Sequence, residues 1–104
     1  PHYEATETNS AIINEGDLVL IDMWAKIKQD GAIYYDITWM GYCGQVIPEK
    51  IQKVFSVVIG ARDAAIAKVQ SSLSLGNSLL GCEVDDAARD FIKMHGYGDY
   101  FIHR

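Results

Sequence analysis

Two aspartates lie in apolar, strand-like stretches of the first half of the chain. Asp22 ends the run "LVLID", and Asp36 lies inside the aromatic and β-branched run "IYYDITWMGY". A buried ionised carboxylate is unstable unless it is paired, and two neighbouring carboxylates repel each other. A divalent cation relieves both effects, because hard cations prefer anionic oxygen ligands. The pair therefore predicts a metal site, provided that the two strands are neighbours.

The spacing of the residues allows the two carboxylates to meet. Because side chains alternate between the faces of a strand, Asp22 shares a face with Trp24, and Asp36 shares one with Thr38. If the strands pair through a turn at residues 28–32, the carboxylates approach each other across the ladder. In the alternative interpretation, each aspartate caps a loop at a strand end or pairs with a lysine. The residues by themselves leave both interpretations open.

The three histidines are further candidates. His95 lies where a helix is predicted to end, and a partial positive charge is favourable there, so we expect a structural role. His2 lies in a polar segment and has little meaning alone. His103, in "FIHR", lies at the end of an apolar strand-like stretch, where either a site residue or a satisfied core histidine fits.

A β-hairpin is predicted to hold the two aspartates. Residues 18–21 are continuously apolar, as in a strand that is covered on both faces. Asp30-Gly31 is a strong turn signal. The aromatic and β-branched residues of 33–42 predict the partner strand.

Two helices are predicted to follow the hairpin, so the fold class is α+β. Apolar residues recur at helical spacing over 48–70, and Gly60 within this helix predicts close packing against a neighbour, since glycine costs about 1 kcal/mol relative to alanine. Residues 71–81 are predicted to form a loop. A second helix is predicted over 83–95, and a third strand over 97–104. The buried stripe of the second helix is predicted to contain Val84, Ala87, Ala88, Phe91 and Ile92.

Length and composition limit the class of protein. The chain has 104 residues, enough for one domain or less, and a formal net charge of −5, which argues against a nucleic-acid partner. No apolar run approaches the roughly 20 residues of a membrane span, so no membrane association is expected. Two cysteines outside any CxxC motif indicate no disulfide framework and favour a reducing, cytoplasmic compartment.

The stretch "GDLVLIDMWAK…YYDITW" resembles the metallopeptidases of family M24, which include Xaa-Pro aminopeptidases, Xaa-Pro dipeptidases (prolidases), methionine aminopeptidases and creatinase. These proteins share the pita-bread fold. Their pattern is a Gly-Asp opening, an apolar strand that ends in Asp, and then Asp-Ile-Thr on the next strand. The likeness continues through "EVDDAARDFI" and "GYGDYFIHR" and so spans nearly the whole chain.

The resemblance implies roles for four residues. Asp22 and Asp36 match aspartates that bind two divalent ions, for which manganese, cobalt or zinc would serve. His2, in "PHY", matches a histidine that faces the substrate. His103 matches the first histidine of His-x-x-Gly-His, which is not a direct metal ligand. The implied activity is metal-dependent hydrolysis of a peptide with proline after the scissile bond.

Three departures from the family pattern put the subfamily and the substrate in question. Asp22 and Asp36 are fourteen positions apart, farther than is common, and the extra residues fit a longer turn at "KIKQDGA". Trp24 replaces a glycine, and "DITWMGY" lacks the Arg-Thr that often follows Asp-Ile-Thr.

The resemblance also implies that residues 1–104 are a single partial domain, the first half of a catalytic domain with two of five metal ligands. We expect such a chain to be inactive alone. A non-catalytic pita-bread module that binds protein or peptide is the alternative, because a fold does not determine a function. Unpaired edge strands lead us to expect a homo-oligomer.

Overall fold

A computed structural model describes residues 6–102 of the chain. The chain divides into two compact units, Pro1–Ile47 and Pro48–Arg104. The first unit contains the strands and the second contains the helices, so the predicted α+β class is confirmed. None of the helices in the described residues is long and apolar enough to cross a membrane.

The first unit is built on an antiparallel hairpin. Strand β1 spans Leu18–Ala25 and strand β2 spans Tyr35–Tyr42, and the two form a two-stranded sheet. The predicted turn is present: the Ala32 N–H donates to the Gln29 carbonyl at 3.2 Å, and Gly31 has a φ of 75°, which glycine adopts without strain. The predicted hairpin is therefore confirmed, with β1 extending beyond residue 21 and β2 beginning at Tyr35 rather than at residue 33.

Within the described residues the first unit does not by itself cover both faces of the hairpin, so it does not contain the cover that the apolar run predicts. Leu20 and Ile21 point to opposite faces, and each is 50% exposed. The reason is that a continuous apolar run predicts that something packs on both faces, whereas a two-stranded sheet supplies no second layer of its own.

The second unit begins with helix α1, Glu49–Ser74. It starts where predicted, after Pro48, but it continues four residues past the predicted end. Serines favoured a loop in the sequence, yet the hydroxyls of Ser71 and Ser74 donate to the carbonyls of Lys68 and Gln70 at 3.0 and 2.8 Å. These bonds keep the serines within the helix, so the predicted loop at 71–81 is too long.

Helix α2 spans Gly81–Met94, close to the predicted 83–95. Its early start follows from Glu83, whose carboxylate accepts a 2.8 Å hydrogen bond from the Leu80 N–H, one of the donors that a helix start leaves unpaired. Its end has a Schellman pattern, in which the Tyr97 N–H reaches the Ile92 carbonyl and Gly96 has a φ of 81°.

The two helices pack closely through a small-residue surface of α1. Val57 and Ala61 are buried, at 7% and 4% exposure. A Cβ atom added to Gly60 would overlap the ring of Phe91 on α2, so the prediction of close packing at Gly60 is confirmed. The predicted apolar stripe of α2 is half-buried rather than fully buried.

The predicted third strand is wrong for the described residues of that segment. Gly98–Tyr100 is a 3-10 helix, not a strand. The turn at Gly96 folds the chain back toward α2, and the Phe101 carbonyl accepts a 3.0 Å bond from Arg89. That bond occupies an acceptor that a strand ladder would need.

Candidate functional site

The register of the hairpin places Asp22 and Asp36 on one face of the sheet. Asp22 lies opposite Thr38, and Trp24 lies opposite Asp36. The two aspartates are therefore diagonal neighbours, a relation in which residues are about 7–8 Å apart and their Cβ atoms somewhat less. The strand pairing that the metal-site hypothesis requires is present.

Thr38 is a site residue whose part in the site the sequence did not reveal. Its hydroxyl donates to Oδ1 of Asp22 at 2.9 Å, across the ladder. This bond holds one carboxylate oxygen in place and leaves Oδ2 without a hydrogen bond among the described residues. The signal was present in the chain, since Thr38 follows Asp36 by two positions and so shares its face, but its partner depends on the register.

Trp24 borders both carboxylates. It follows Asp22 by two positions on the same face, and it is the direct cross-strand partner of Asp36, at a Cβ separation of about 4.5–5.5 Å for such pairs. Its side chain is 66% exposed. The residue that replaces the family's glycine thus lies beside the proposed metal ligands on this face.

The two carboxylates are more exposed than the sequence predicts. Both Asp22 and Asp36 are exposed, so burial does not create a need for a counter-charge within the described residues. In that part of the chain neither aspartate pairs with a lysine, and Lys26 instead lies over the ring of Tyr34, 5.0 Å from its centroid. Pairing with lysine, one form of the structural alternative, is therefore not observed over residues 6–102.

The structure describes one of the three histidines, His95. His2 and His103 lie outside the described residues, so their proposed contacts with substrate stay predictions. His95 stacks on Phe91 with ring centroids 4.4 Å apart, and its Nδ1 is 2.8 Å from the Phe91 carbonyl. The structural role expected for His95 is supported.

The donor set suits a divalent cation but does not complete a site. Carboxylate oxygens are the ligands that hard and borderline divalent ions prefer, and Asp36 has no hydrogen bond to its carboxylate among the described residues. No group of three His, Cys, Asp or Glu side chains that could hold a metal occurs within residues 6–102. Two carboxylates can supply only part of a coordination shell.

Comparison with known proteins agrees with the motifs. The sequence profile of metallopeptidase family M24 matches residues 1–104. The chain is 34% identical over 103 residues to an Xaa-Pro dipeptidase of Pyrococcus furiosus. The aligned region covers 99% of this chain and 26% of the relative. The chain is 32% identical over 103 residues to the uncharacterized peptidase YqhT of Bacillus subtilis, with the same coverage. No solved structure matches the chain significantly.

The similarity extends to eukaryotes. An uncharacterized peptidase of Schizosaccharomyces pombe is 44% identical over 61 residues, which are 59% of this chain and 13% of the relative. The chain spans about a quarter of the length of the two prokaryotic relatives named above. Since the family profile matches the chain from its first residue to its last, the resemblance read from the motifs is confirmed, and the chain belongs to metallopeptidase family M24.

Proposed function

We propose that this chain is part of a dinuclear metal-dependent peptidase with a pita-bread fold that hydrolyses Xaa-Pro peptide bonds. The observation that carries the proposal is the juxtaposition of Asp22 and Asp36 on one face of the hairpin. Membership of family M24 and the similarity to a protein named Xaa-Pro dipeptidase support it. The cytoplasmic location expected from the two cysteines stays a prediction.

In this proposal each residue has a defined task. Asp22 and Asp36 hold the divalent ions, and the Thr38 hydroxyl orients the Asp22 carboxylate through its 2.9 Å bond. Manganese, cobalt or zinc would serve as a Lewis acid toward the scissile carbonyl and the attacking water. His2 and His103 donate hydrogen bonds to the substrate or to the oxygen that becomes negatively charged as water attacks the carbonyl.

We further propose that these 104 residues are inactive alone. The relatives are about four times as long as the region they share with this chain, which leaves room for the remaining ligands elsewhere in the protein. Two exposed carboxylates leave most coordination positions to water, so the affinity of this chain for metal should be weak.

Metal titration of the purified chain tests the ligand assignment. Manganese binding is measured by water-proton relaxation for the wild type, Asp22→Asn, Asp36→Asn and the matched control Asp30→Asn. Asp30 is an exposed aspartate in the turn of the same hairpin, so its variant changes the net charge equally. We expect the two ligand variants to weaken binding by at least about tenfold, the lower end of the loss caused even by changes around metal ligands.

Equal binding by all four proteins would contradict the assignment. The activity is tested separately on the complete gene product, with manganese and the dipeptide Ala-Pro. Hydrolysis that Asp36→Ala abolishes supports the peptidase. A complete gene product that binds peptides tightly without cleaving them would favour the non-catalytic binding module.

We also propose that the 104-residue chain self-associates through its hairpin. An isolated two-stranded hairpin is at best marginally stable in water, and its outer edges offer unpaired N–H and C=O groups. Both faces also expose large apolar side chains: Met23 and Trp39 on one face are 58% and 64% exposed, and Leu18 on the other is 52% exposed. A second copy could supply both strand partners and apolar cover.

A further inference from the structure

Trp24 is a large apolar residue that lies among polar side chains. Its direct partner on β2 is Asp36, and Asp22 precedes it by two positions on the same face of β1, about 7 Å away along the strand. Thr38, which lies opposite Asp22, donates its hydroxyl to that carboxylate at 2.9 Å. Trp24 itself is 66% exposed. This face of the hairpin therefore presents an indole ring system beside two carboxylates and a hydroxyl group.

Trp39 lies on the opposite face of the hairpin and provides a direct comparison. It is 64% exposed, almost the same as Trp24. Its direct partner is Ile21, and the next pair along that face is Met23 and Ile37. These side chains form a continuous apolar patch, which is typical of a sheet face that packs against a further layer. The two tryptophans thus differ in the chemistry of their neighbours and not in their exposure.

An apolar layer cannot cover Trp24 in the way that suits Trp39. Such a layer would also remove Asp22 and Asp36 from water, which is strongly unfavourable for carboxylates without partners. Whatever covers Trp24 must therefore offer a cation to the carboxylates and apolar surface to the indole. A metal-bound peptide with an apolar residue beside the coordinated carbonyl meets both requirements.

A proline residue after the scissile bond has the chemistry that Trp24 requires. In the proposed function, the ions on Asp22 and Asp36 act on the scissile carbonyl. Consecutive Cα atoms are about 3.8 Å apart, so the residue after that carbonyl stays close to the ions and to the face that carries Trp24. Proline presents a ring of methylene groups, and aromatic side chains are the usual partners of proline in peptide-binding proteins.

We propose that Trp24 is a specificity-determining residue whose indole contacts the proline ring of an Xaa-Pro substrate. This inference rests on the proposed function, and it adds the residue that selects proline. It depends on the hairpin alone, because Trp24 and both carboxylates belong to β1 and β2.

The test compares two substrates on the complete gene product with manganese. One is Ala-Pro and the other is alanyl-sarcosine, in which N-methylglycine keeps the tertiary amide of proline but lacks two of the ring carbons. The ratio of kcat/KM for Ala-Pro to that for alanyl-sarcosine measures recognition of the ring. It is determined for the wild type, Trp24→Thr, Trp24→Leu and the matched control Trp39→Leu.

We expect the wild type to favour Ala-Pro and Trp24→Thr to lower the ratio by about tenfold, the lower end of the effect of one methylene group in an apolar site. Trp24→Leu should lower it by a smaller factor, because leucine keeps an apolar contact but loses the flat ring. Trp39→Leu should leave the ratio unchanged, since Trp39 lies on the other face.

Manganese content and circular dichroism show whether each variant retains its metal site and its fold. If Trp24→Thr does not fold, Trp24→Leu decides. An unchanged ratio in the folded Trp24 variants would overturn the inference, and so would a wild type that cleaves both substrates equally well. An equal loss of both activities together with manganese would also overturn it, because Trp24 would then support the metal site and not the substrate.

The same measurements separate this inference from the proposed function. A wild type that cleaves Ala-Pro, with a ratio that does not depend on Trp24, keeps the peptidase and overturns only the role of Trp24. A wild type that cleaves neither substrate overturns both.

Discussion

Replacement of Gly60 by alanine tests how closely α1 and α2 approach each other. An alanine Cβ would lie 2.5 Å from Cε1 of Phe91 and would also overlap Cζ of the same ring. These positions cannot coexist, so the ring or a helix must shift. Elsewhere in a helix interior the same substitution is favourable by about 1 kcal/mol, because alanine has the higher helix propensity.

The expected net effect follows from these two opposing contributions. Forcing an additional carbon into a packed interface typically costs about 1–3 kcal/mol. The Phe91 ring has limited freedom to escape, since it stacks on His95 with centroids 4.4 Å apart. After subtraction of about 1 kcal/mol of propensity gain, we expect Gly60→Ala to lower the free energy of unfolding by about 1 kcal/mol, within a range of about 0–2 kcal/mol.

Urea unfolding followed by circular dichroism at 222 nm measures this change, because that signal reports the helices. Gly81→Ala is the matched control: Gly81 begins α2, and an added Cβ there would meet no atom within 4 Å beyond its chain neighbours and the backbone of its own helix. We expect the control to be neutral or slightly stabilising. In a Phe91→Ala background the obstacle is removed, so Gly60→Ala should become stabilising by up to about 1 kcal/mol.

The change of sign is the decisive result. If Gly60→Ala stabilises the wild-type protein as much as it stabilises Phe91→Ala, the ring does not lie against Gly60 and the reasoning is refuted. Equal destabilisation in both backgrounds would place the obstacle elsewhere, and would refute the assignment to Phe91 in the same way.

Three further outcomes are expected. Thr38→Val should weaken manganese binding to the chain because Asp22 loses its hydroxyl donor, whereas Thr38→Ser should retain the wild-type affinity. Equal manganese affinities of Thr38→Val and the wild type would show that the 2.9 Å bond has no role in the site. Gly96→Ala should lower the free energy of unfolding by about 1 kcal/mol in urea titrations, since alanine is disfavoured at a φ of 81°, and an unchanged midpoint would contradict the Schellman assignment. Light scattering of the chain at several concentrations should show dimers or larger assemblies, and a monomer throughout would argue against pairing through the hairpin.

Local patterns were sufficient to predict most elements of the fold. The Asp30-Gly31 turn, the two helices and the close approach at Gly60 depend on neighbouring residues and on period, so they could be recognised in the sequence. The prediction of a third strand is wrong because it followed the strand-like composition of residues 97–102. The conformation of these residues depends instead on the Gly96 turn and on Arg89, whose contact with Phe101 spans twelve positions. Side chains that meet across such separations leave no periodic signal.

The candidate site, too, could be predicted only in part from local patterns. The sequence alone determined that Asp22 and Asp36 are carboxylates in strands and that the surrounding motifs are those of family M24, because residue type and short spacing carry that information. Only the tertiary structure decided that Asp22 lies opposite Thr38 and that Trp24 lies opposite Asp36. Register depends on how two strands align, and a slip of one residue would have moved one of the carboxylates to the other face.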